Sequence, residues 1–261
     1  MQIVEIFRRC ESGVAQVVLE RNRERVTAGT AFLVRGGLVT NSHVIRAAEA
    51  DAIGFRFSKM DNGELIRLAW DDLSKAVAYE SPKDAWDVAF IALDEPEFEG
   101  RYRFEFANSV SVEVGQQVAF IGYPFQMENI TCHVGHVSSL FEKSGVSQIQ
   151  IDGSVNGGNS GGPLLELTSG RVIGIVTRAH VGFVAEQFEK LIGALNNNVQ
   201  VLSNQTVSMA IGGVDPIKAV RASQAAMIEI AISLRRSANV GIGWAFSSNH
   251  ISSHIREAAP N

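Results

Sequence analysis

Residues 156–167 read NGGNSGGPLLEL, and this stretch places one serine, Ser160, among four glycines. Glycine tolerates backbone angles that a Cβ atom hinders, so the run predicts a tight turn around the serine. An alcohol is a poor nucleophile at neutral pH and needs a base, a group that orients the base, and donors for the developing oxyanion. The stretch therefore indicates a candidate serine nucleophile, whose helpers must come from elsewhere in the chain.

Composition limits the classes of protein that this sequence can encode. The 261 residues are 46% hydrophobic and 20% charged, which suits a folded globular core without disulfides or a metal. The net charge is −5 and the longest basic runs are the pairs Arg8-Arg9 and Arg235-Arg236, so we expect no nucleic-acid partner. Cys10 and Cys132 make no disulfide framework and are predicted to be two buried thiols.

Neither a membrane nor a secretion signal is expected. No stretch reaches the roughly 18 to 20 apolar residues that cross a bilayer. The N-terminal run MQIVEIFRRC is interrupted by polar residues and lacks the apolar core of a signal peptide. We therefore expect a cytoplasmic protein.

Most of the chain consists of short apolar segments separated by turns, which favours an all-β fold. Examples are VAQVVLE, GTAFLV, LIRLAW, VAFIAL, QQVAFIGYP, SQIQID, RVIGIVTRA and VGIGWAF. A short final helix is predicted in NHISSHIREA, near the end of the chain.

Residues 183–238 have a helical period instead. Apolar residues recur every three or four positions in two runs, which predicts two amphipathic helices: Val184, Phe188, Leu191, Ile192 and Leu195, then Ile217, Val220, Met227, Ala231 and Leu234. Asp215 is predicted to cap the second helix, with Pro216 at its first position. The segment is interpreted as a helical insertion in a β fold.

Two catalytic orders are open for Ser160. The stretch GNSGG also fits the esterase pattern G-x-S-x-G, with Asp215 and His250 or His254 following the serine. That pattern requires a helix directly after the nucleophile, whereas GGPLLEL favours a turn and a strand.

The other order places the base and the acid before the serine. His43 follows the apolar run GGLVT, and Asp87 precedes the strand VAFIAL. Polar residues at strand ends can face a cleft. Asp84, three residues earlier, is a rival for the acid, but Asp87 adjoins the strand directly.

The motifs GTAFLVRGGLVTNSHVI, DVAFIAL, QVAFIGYP and GNSGGPLLE, followed by GRVIGIVT and VGIGWAFSSNHI, resemble the trypsin-like serine peptidases, and most closely their HtrA (Deg) branch. The resemblance implies two six-stranded antiparallel β-barrels. We expect residues 1–105 to hold the first lobe with His43 and Asp87. Residues 106–182 and 239–261 would form the second lobe, with Ser160 and the C-terminal helix, interrupted by the insertion at 183–238.

The resemblance also implies the roles of individual residues. Ser160 would be the nucleophile, His43 the general base and then acid, and Asp87 the group that orients the imidazole. The backbone N–H groups of Gly158 and Ser160 would form the oxyanion hole. The primary substrate pocket would have Ser154 at its base and take uncharged, small to medium aliphatic residues; its expected walls are Ile175, Val176, Thr177, Gly241, Gly243 and Trp244.

The chain departs from the family at two places. Zymogen-type trypsins have an Asp directly before the nucleophile, where this chain has Asn159, so we expect the oxyanion loop to be set by contacts other than a new N-terminus. HtrA proteases usually carry a PDZ domain, for which this sequence leaves no room after the protease-like segment. Our hypothesis is that the helical insertion instead adjusts the site, or binds a regulatory partner or a second copy. Passive cover of a barrel face is the alternative.

The stretch TCHVGHV contains three candidate metal ligands, Cys132, His133 and His136. On a strand, Cys132 and His136 share one face and His133 the other, so no metal is expected, and no cofactor is implied. His180, His250 and His254 are interpreted as surface or loop residues, and Asp152 as a structural carboxylate. Trp70, Trp86 and Trp244 are expected in the core or in cleft walls.

The sequence thus predicts a serine endopeptidase that acts on protein or peptide substrates. The alternative is a latent or inactive binding module of the same fold, resembling a chaperone.

Overall fold

The computed structural model describes residues 2–22, 24–46, 50–58, 60, 64–82, 85–93, 96–107, 112–177, 182–204, 215–237, 241–251 and 253–255. Contacts divide the chain into two compact units: Met1–Ala179 with Gly241–Asn261, and His180–Val240. Within these described ranges, thirteen strands belong to the first unit and two long helices to the second.

The first lobe is a curled seven-stranded antiparallel sheet. Its strands are β1 (Val14–Arg21), β2 (Glu24–Val34), β3 (Gly37–Thr40), β4 (Ala52–Phe57), β5 (Ile66–Ala69), β6 (Val77–Glu80) and β7 (Ala89–Ala92), in the order β5-β4-β1-β2-β3-β7-β6. Ala15, Val17 and Leu19 alternate along β1 into one core cluster, while Val14 joins another. This alternation is the period-2 pattern of a strand that is buried on both faces.

The second lobe is a closed six-stranded barrel. Its strands are β8 (Gln117–Gly122), β9 (Thr131–Lys143), β10 (Val146–Ile151), β11 (Pro163–Glu166), β12 (Val172–Thr177) and β13 (Gly243–Ser247), in the order β10-β13-β12-β11-β8-β9. Inward side chains such as Phe120, Ile149 and Ala245 fill the barrel. The predicted fold class is confirmed, and the first lobe has one strand more than the six expected.

Short helices in the described part of this β unit include α1 (Ile3–Cys10), α2 (Ser42–Ile45) and α3 (Trp70–Ala76). The predicted strand LIRLAW ends at Ala69, because Trp70 already begins α3. In α1, Ile6 and Cys10 are one turn apart and both are buried. Cys10 and Cys132 are both free thiols; Cys10 is buried, as predicted, whereas Cys132 is half-buried. Burial raises the pKa of Cys10 to about 12 and that of Cys132 to about 11.

The second unit is a helical hairpin of α4 (Gly182–Ser203) and α5 (Pro216–Ser237), so both predicted helices are confirmed. The predicted cap is present, because Oδ1 of Asp215 accepts hydrogen bonds from the backbone N–H groups of Ile217 and Lys218. Across the described ranges, no helix combines the length and the apolar character needed to cross a membrane.

The buried face of α5 differs from the predicted one. Ala231 is buried, but Val220, Met227 and Leu234 are each about half exposed. Gln224 and Ile228 are less exposed than their neighbours on the helix. Of the predicted apolar residues, Val220, Met227 and Leu234 therefore lie outside the face that packs within this unit.

The C-terminal segment begins with a 3-10 turn over Ser248–His250, and residues 253–255 are helical. Ile251 and Ile255 are buried in a core cluster that also includes Phe32 and Phe90 of the first lobe and Ile121 of the second. The segment therefore packs on the cluster that joins the lobes.

Candidate active site

The imidazole of His43 is held by the carboxylate of Asp87. Oδ1 of Asp87 accepts a hydrogen bond from the His43 backbone N–H at 2.9 Å, and Oδ2 lies 2.6 Å from the ring Nδ1. An ionised carboxylate can only accept hydrogen bonds, so this contact places the proton on Nδ1 and leaves Nε2 as an acceptor. The His43 side chain is 45% exposed, so a reacting group can approach it.

The backbone of Asp87 is in a conformation that residues other than glycine rarely adopt, with φ at +41°. Its carbonyl accepts hydrogen bonds from the Ser42 N–H at 3.2 Å and from Nδ2 of Asn41 at 2.8 Å. Main chain and side chain of Asp87 thus both bind residues 41–43. Such redundancy holds an uncommon backbone conformation in place.

Ser160 lies in a tight turn between β10 and β11 and is 3% exposed. Gly158 and Gly161 have φ values of +102° and +88°, a region that strains a residue with a Cβ. The Gly161 N–H donates to the Val176 carbonyl at 2.8 Å, and the Val176 N–H donates to the Gly162 carbonyl at 2.9 Å. Strand β12 therefore anchors the turn.

The Ser160 turn abuts the segment that carries His43. A Cβ on Gly29 would lie 2.6 Å from the side chain of Val44 and 2.8 Å from the Ser160 carbonyl oxygen. A Cβ on Gly161 would lie 3.1 Å from the backbone nitrogen of Asn41. The structure thus brings the serine turn of the second lobe against the histidine helix of the first.

The peptide that joins Gly157 and Gly158 has a defined orientation. The Gly157 carbonyl accepts a hydrogen bond from the Phe125 N–H at 2.7 Å. In a planar trans peptide the carbonyl and the following N–H point in opposite directions. The Gly158 N–H is therefore directed away from Phe125. A Cβ on Gly158 would lie 2.1 Å from the Tyr123 carbonyl oxygen, so only glycine fits.

Asn159, directly before the serine, is fully buried. Among the described residues its Oδ1 and Nδ2 have no hydrogen-bond partner. A Cβ on Gly122 would lie 2.8 Å from Asn159 Oδ1, so this side chain packs closely against β8. The amide of Asn159 therefore fills space below the turn without binding it through a hydrogen bond.

The predicted pocket residues lie around one end of the barrel. Thr177 pairs with Trp244 across β12 and β13, and a Cβ on Gly243 would lie 2.7 Å from the Gly153 carbonyl oxygen, next to Ser154. Ser154 itself is exposed. The ring of Trp244 packs edge-on against Phe141 at 5.0 Å.

The remaining predicted wall residues contribute differently. Ile175 belongs to the core cluster that joins the lobes, whereas Val176 faces the barrel interior. Gly241 is half-buried. Since their side chains lie in cores, Ile175 and Val176 can border a pocket only through their backbone.

Two residues of the esterase order, Asp215 and His254, have other partners in the structure. Asp215 caps α5, and the His254 ring stacks on Tyr79 at 4.8 Å. The side chain of His250 lies outside the described part of the structure, as do Asp84 and His180. No described contact joins these residues to Ser160.

Cys132, His133 and His136 on β9 have separate partners. Cys132 packs at the edge of a core cluster, and the His133 ring stacks on Phe120 at 4.7 Å. His136 pairs with Asp152, with Nδ1 3.2 Å from Oδ2. Burial lowers the pKa of His133. In the part of the chain that the structure describes, no group of three or more His, Cys, Asp or Glu side chains could hold a metal ion.

Sequence reasoning missed two residues that contact the serine turn, Thr30 and Phe125. Thr30 is fully buried in the structure. Its hydroxyl interrupts the apolar run GTAFLV, and this interruption is the one signal in the sequence that could have revealed it. Phe125 acts through its backbone and has φ at +54°, so no residue type at that position marks it.

Two β lobes with a His–Asp pair beside a glycine-rich serine turn define the trypsin-like class of proteins. Residues 29–175 match the family model of the trypsin-like peptidase domain. The chain belongs to this family.

The curated relatives that the chain resembles include DegP-like and Do-like proteases. The chain is 33% identical over 179 residues to a probable periplasmic DegP-like serine endoprotease of Pseudomonas fluorescens, covering 65% of this chain and 33% of that protein. It is 34% identical over 160 residues to the chloroplastic Protease Do-like 1 of Arabidopsis thaliana, covering 58% and 33%. The chain thus spans about a third of the length of these relatives.

Two solved structures share the fold. The HtrA-type protease AlgW with a tripeptide has a TM-score of 0.59 and 19% identity, over 99% of this chain and 63% of that one. The Rv3671c protease of M. tuberculosis in its active form has a TM-score of 0.61 and 16% identity, over 98% and 85%. The names of the curated relatives give periplasm and chloroplast, so the cytoplasmic location stays a prediction.

Proposed function

We propose that this protein is a serine endopeptidase that hydrolyses peptide bonds through an acyl-enzyme. The observation that carries the proposal is the two-point contact of the Asp87 carboxylate with His43, next to the turn of Ser160. The family membership supports the same reaction.

In this mechanism Ser160 Oγ attacks the substrate carbonyl while Nε2 of His43 takes the hydroxyl proton. The imidazolium then gives that proton to the leaving amine, and the C–N bond breaks. A water molecule repeats the sequence on the acyl ester, releases the second product and restores Ser160. Asp87 keeps Nδ1 protonated throughout and stabilises the charged ring.

The backbone N–H groups of Gly158 and Ser160 would bind the oxyanion of each tetrahedral intermediate. The Phe125 hydrogen bond supports this role, because it directs the Gly157 carbonyl one way and so the Gly158 N–H the other. In other enzymes the loss of one such donor costs about 3 kcal/mol of transition-state stabilisation.

The proposed substrates are proteins or peptides with an uncharged, small to medium aliphatic residue at the cleaved position. Ser154 supports this choice because it brings no charge to the predicted base of the pocket. A peptide-library profile dominated by Lys or Arg at that position would contradict the assignment. Solved relatives described with a bound tripeptide or decapeptide agree with a peptide ligand.

Labelling with a fluorophosphonate probe tests the peptidase proposal, because the probe reacts with a serine only where a base and an oxyanion hole are assembled. We expect wild type to gain one adduct at Ser160 by intact mass and to degrade an unfolded protein. Ser160→Ala should fold with the same circular dichroism spectrum and do neither. A folded wild type without adduct or turnover would instead support the binding-module alternative.

We further propose that the helical insertion is the surface for a regulatory partner or for a second copy of the chain. Its support is the half-exposed apolar row of α5, which comprises Val220, Met227, Ile230 and Leu234. Apolar residues at this spacing are typical of helix–helix contacts.

A double substitution tests the role of this row. Met227→Glu with Leu234→Glu should change either the oligomeric state by light scattering or the rate of peptide cleavage. Ala225→Glu, at an exposed position on the opposite side of the same helix, is the matched control. An unchanged mass and rate in the double variant would rule out the proposed surface.

A further inference from the structure

We propose that the hydroxyl of Thr30 positions the oxyanion loop, residues 157–160, by holding Gly158 from the opposite lobe. The inference rests on the peptidase function proposed above, since it concerns how the oxyanion donor of that reaction is oriented. Thr30 acts through Gly158 and is a positioning residue that does not contact the reacting atoms.

Thr30 lies on β2 of the first lobe and is fully buried, yet its polar atoms bind the second lobe. Oγ1 donates a hydrogen bond to the Gly158 carbonyl at 2.7 Å and accepts one from the Tyr123 N–H at 3.1 Å. The Thr30 backbone N–H donates to the Ser160 carbonyl at 2.8 Å. One residue thus binds both residues whose N–H groups are the proposed oxyanion donors.

The direction of the hydroxyl proton follows from its partners. A carbonyl oxygen can only accept and a backbone N–H can only donate, so Oγ1 must give its proton to Gly158 and receive the bond from Tyr123. No other arrangement satisfies the three groups. Thr30 and Tyr123 are buried and Gly158 is half-buried, so removal of the hydroxyl would leave two backbone groups without this partner, at a cost that is largest for the buried Tyr123 N–H.

The threonine itself is held rigidly. Its carbonyl accepts a hydrogen bond from Oγ1 of Thr40 at 2.7 Å and lies 2.1 Å from the position that a Cβ on Gly161 would occupy. Oγ1 lies 2.9 Å from the corresponding position on Gly122. The side chain therefore has little freedom to turn away from Gly158.

Thr30 and Phe125 together define the backbone of Gly158. Phe125 binds the carbonyl before Gly158, and Thr30 binds the carbonyl of Gly158 itself. Fixing these two successive peptide planes fixes both φ and ψ of the residue between them. Glycine at φ +102° has no side chain to restrict it, so these two bonds are what keep its N–H pointed in one direction.

This arrangement also fits the presence of Asn159 where zymogen-type trypsins have an Asp. Its buried amide makes no hydrogen bond among the described residues, so it does not brace the loop as a charged pair would. The bracing comes instead from a neutral hydroxyl of the other lobe. The oxyanion loop can then form without a liberated N-terminus.

The experiment compares Thr30→Val with Thr30→Ser. Valine has nearly the shape of threonine but no hydroxyl, and serine keeps the hydroxyl with less bulk. We expect Thr30→Val to lower kcat at least tenfold while KM changes less than threefold, and Thr30→Ser to stay within about threefold of the wild-type kcat. Thr131→Val removes a hydroxyl that binds Gly122 and should leave kcat within twofold.

A second readout keeps the inference separate from the peptidase function. Hydrogen–deuterium exchange of a peptide covering residues 156–162 should be faster in Thr30→Val than in wild type and unchanged in Thr131→Val. If wild type proves inactive, the peptidase proposal fails while this exchange result still tests the Thr30 contact.

Several results would overturn the inference. One is a Thr30→Val variant with wild-type kcat and exchange, and another is an equal loss in the valine and serine variants, which would assign the effect to packing. A change confined to KM would also contradict it. If Thr30→Val unfolds at the assay temperature, Thr30→Ala replaces it in the comparison with Thr30→Ser, and the same outcomes apply.

Discussion

The Asp87 carboxylate contacts His43 at two points, the backbone N–H at 2.9 Å and the ring Nδ1 at 2.6 Å. The same two-point contact occurs between Asp152 and His136, where Oδ1 accepts a hydrogen bond from the backbone N–H and Oδ2 lies 3.2 Å from Nδ1. Both pairs orient an imidazole, but only that of His43 lies beside the Ser160 turn. A two-point contact between an aspartate and a histidine therefore does not by itself identify a catalytic pair.

Asp87→Asn should abolish most activity without unfolding the protein. An amide can still accept from the backbone N–H, but its NH₂ group would face Nδ1 and move the ring proton to Nε2, so His43 could not accept the proton of Ser160. We expect kcat to fall about a thousandfold or more, the size of this effect in other serine proteases. Steady-state cleavage of a peptide substrate measures it.

Asp152→Asn is the matched control, because it makes the same change in the second pair. We expect its kcat to stay within about threefold of wild type. Equal losses in the two variants would show that the assignment of the orienting acid to Asp87 is wrong.

Gly158→Ala should inactivate the protein through the backbone. The added Cβ would meet the Tyr123 carbonyl oxygen at 2.1 Å in a conformation that alanine rarely adopts, so the loop must move. We expect loss of fluorophosphonate labelling with a melting temperature near that of wild type.

The neighbouring Gly157→Ala gives the comparison, since a Cβ there meets no atom within 4 Å. We expect it to slow labelling less than about fivefold. Labelling of Gly158→Ala at the wild-type rate would refute the assigned loop geometry.

His254→Ala should destabilise the fold and weaken the support of Asp87. The His254 ring stacks on Tyr79 at 4.8 Å and on Trp86 at 6.1 Å, and Trp86, the residue before Asp87, donates from Nε1 to the Tyr79 hydroxyl at 2.9 Å. Loss of such ring contacts costs about 1 kcal/mol in the free energy of unfolding.

His254→Phe should keep the stacking and most of that stability, because a phenyl ring replaces the imidazole. Urea denaturation followed by tryptophan fluorescence measures all three proteins. If both variants match wild type, the C-terminal segment does not brace this part of the first lobe.

The Asp152–His136 pair should make stability depend on pH. The His136 backbone N–H, and then its ring, lower the pKa of the Asp152 carboxyl below its usual value of 3.8. A carboxyl whose pKa is lowered by folding stabilises the protein above its unfolded pKa, and this contribution is lost as the pH falls through the folded value. Wild type should therefore melt above Asp152→Asn at pH 6, and the difference should shrink below about pH 4. A constant difference across this range would contradict the coupling.

Much of the fold could be predicted from sequence. The alternation of apolar residues gave strands such as β1 and β8, and Asp215 with Pro216 marked the start of α5. The motifs around His43, Asp87 and Ser160 resembled one family, which the comparison with known proteins confirmed. These features depend on residues close together in the chain.

Other features could not be predicted because nearby residues do not decide them. The outward face of α5 is as apolar in sequence as its inward face, so periodicity selected Val220, Met227 and Leu234, which are half exposed. The strand of the first lobe that was not predicted is β6 (Val77–Glu80), which is four residues long and pairs with β7.

The sequence by itself determined that strands dominate, that a glycine-rich turn surrounds Ser160, and which family carries these motifs, because propensity, alternation and turn chemistry act over a few residues. Only the tertiary structure decided that Asp87 meets His43 at two points and that Thr30 and Phe125 bind the two peptide groups flanking Gly158. Those partners are remote in sequence, and their hydrogen bonds form only where packing of the two lobes brings a buried donor to a buried acceptor.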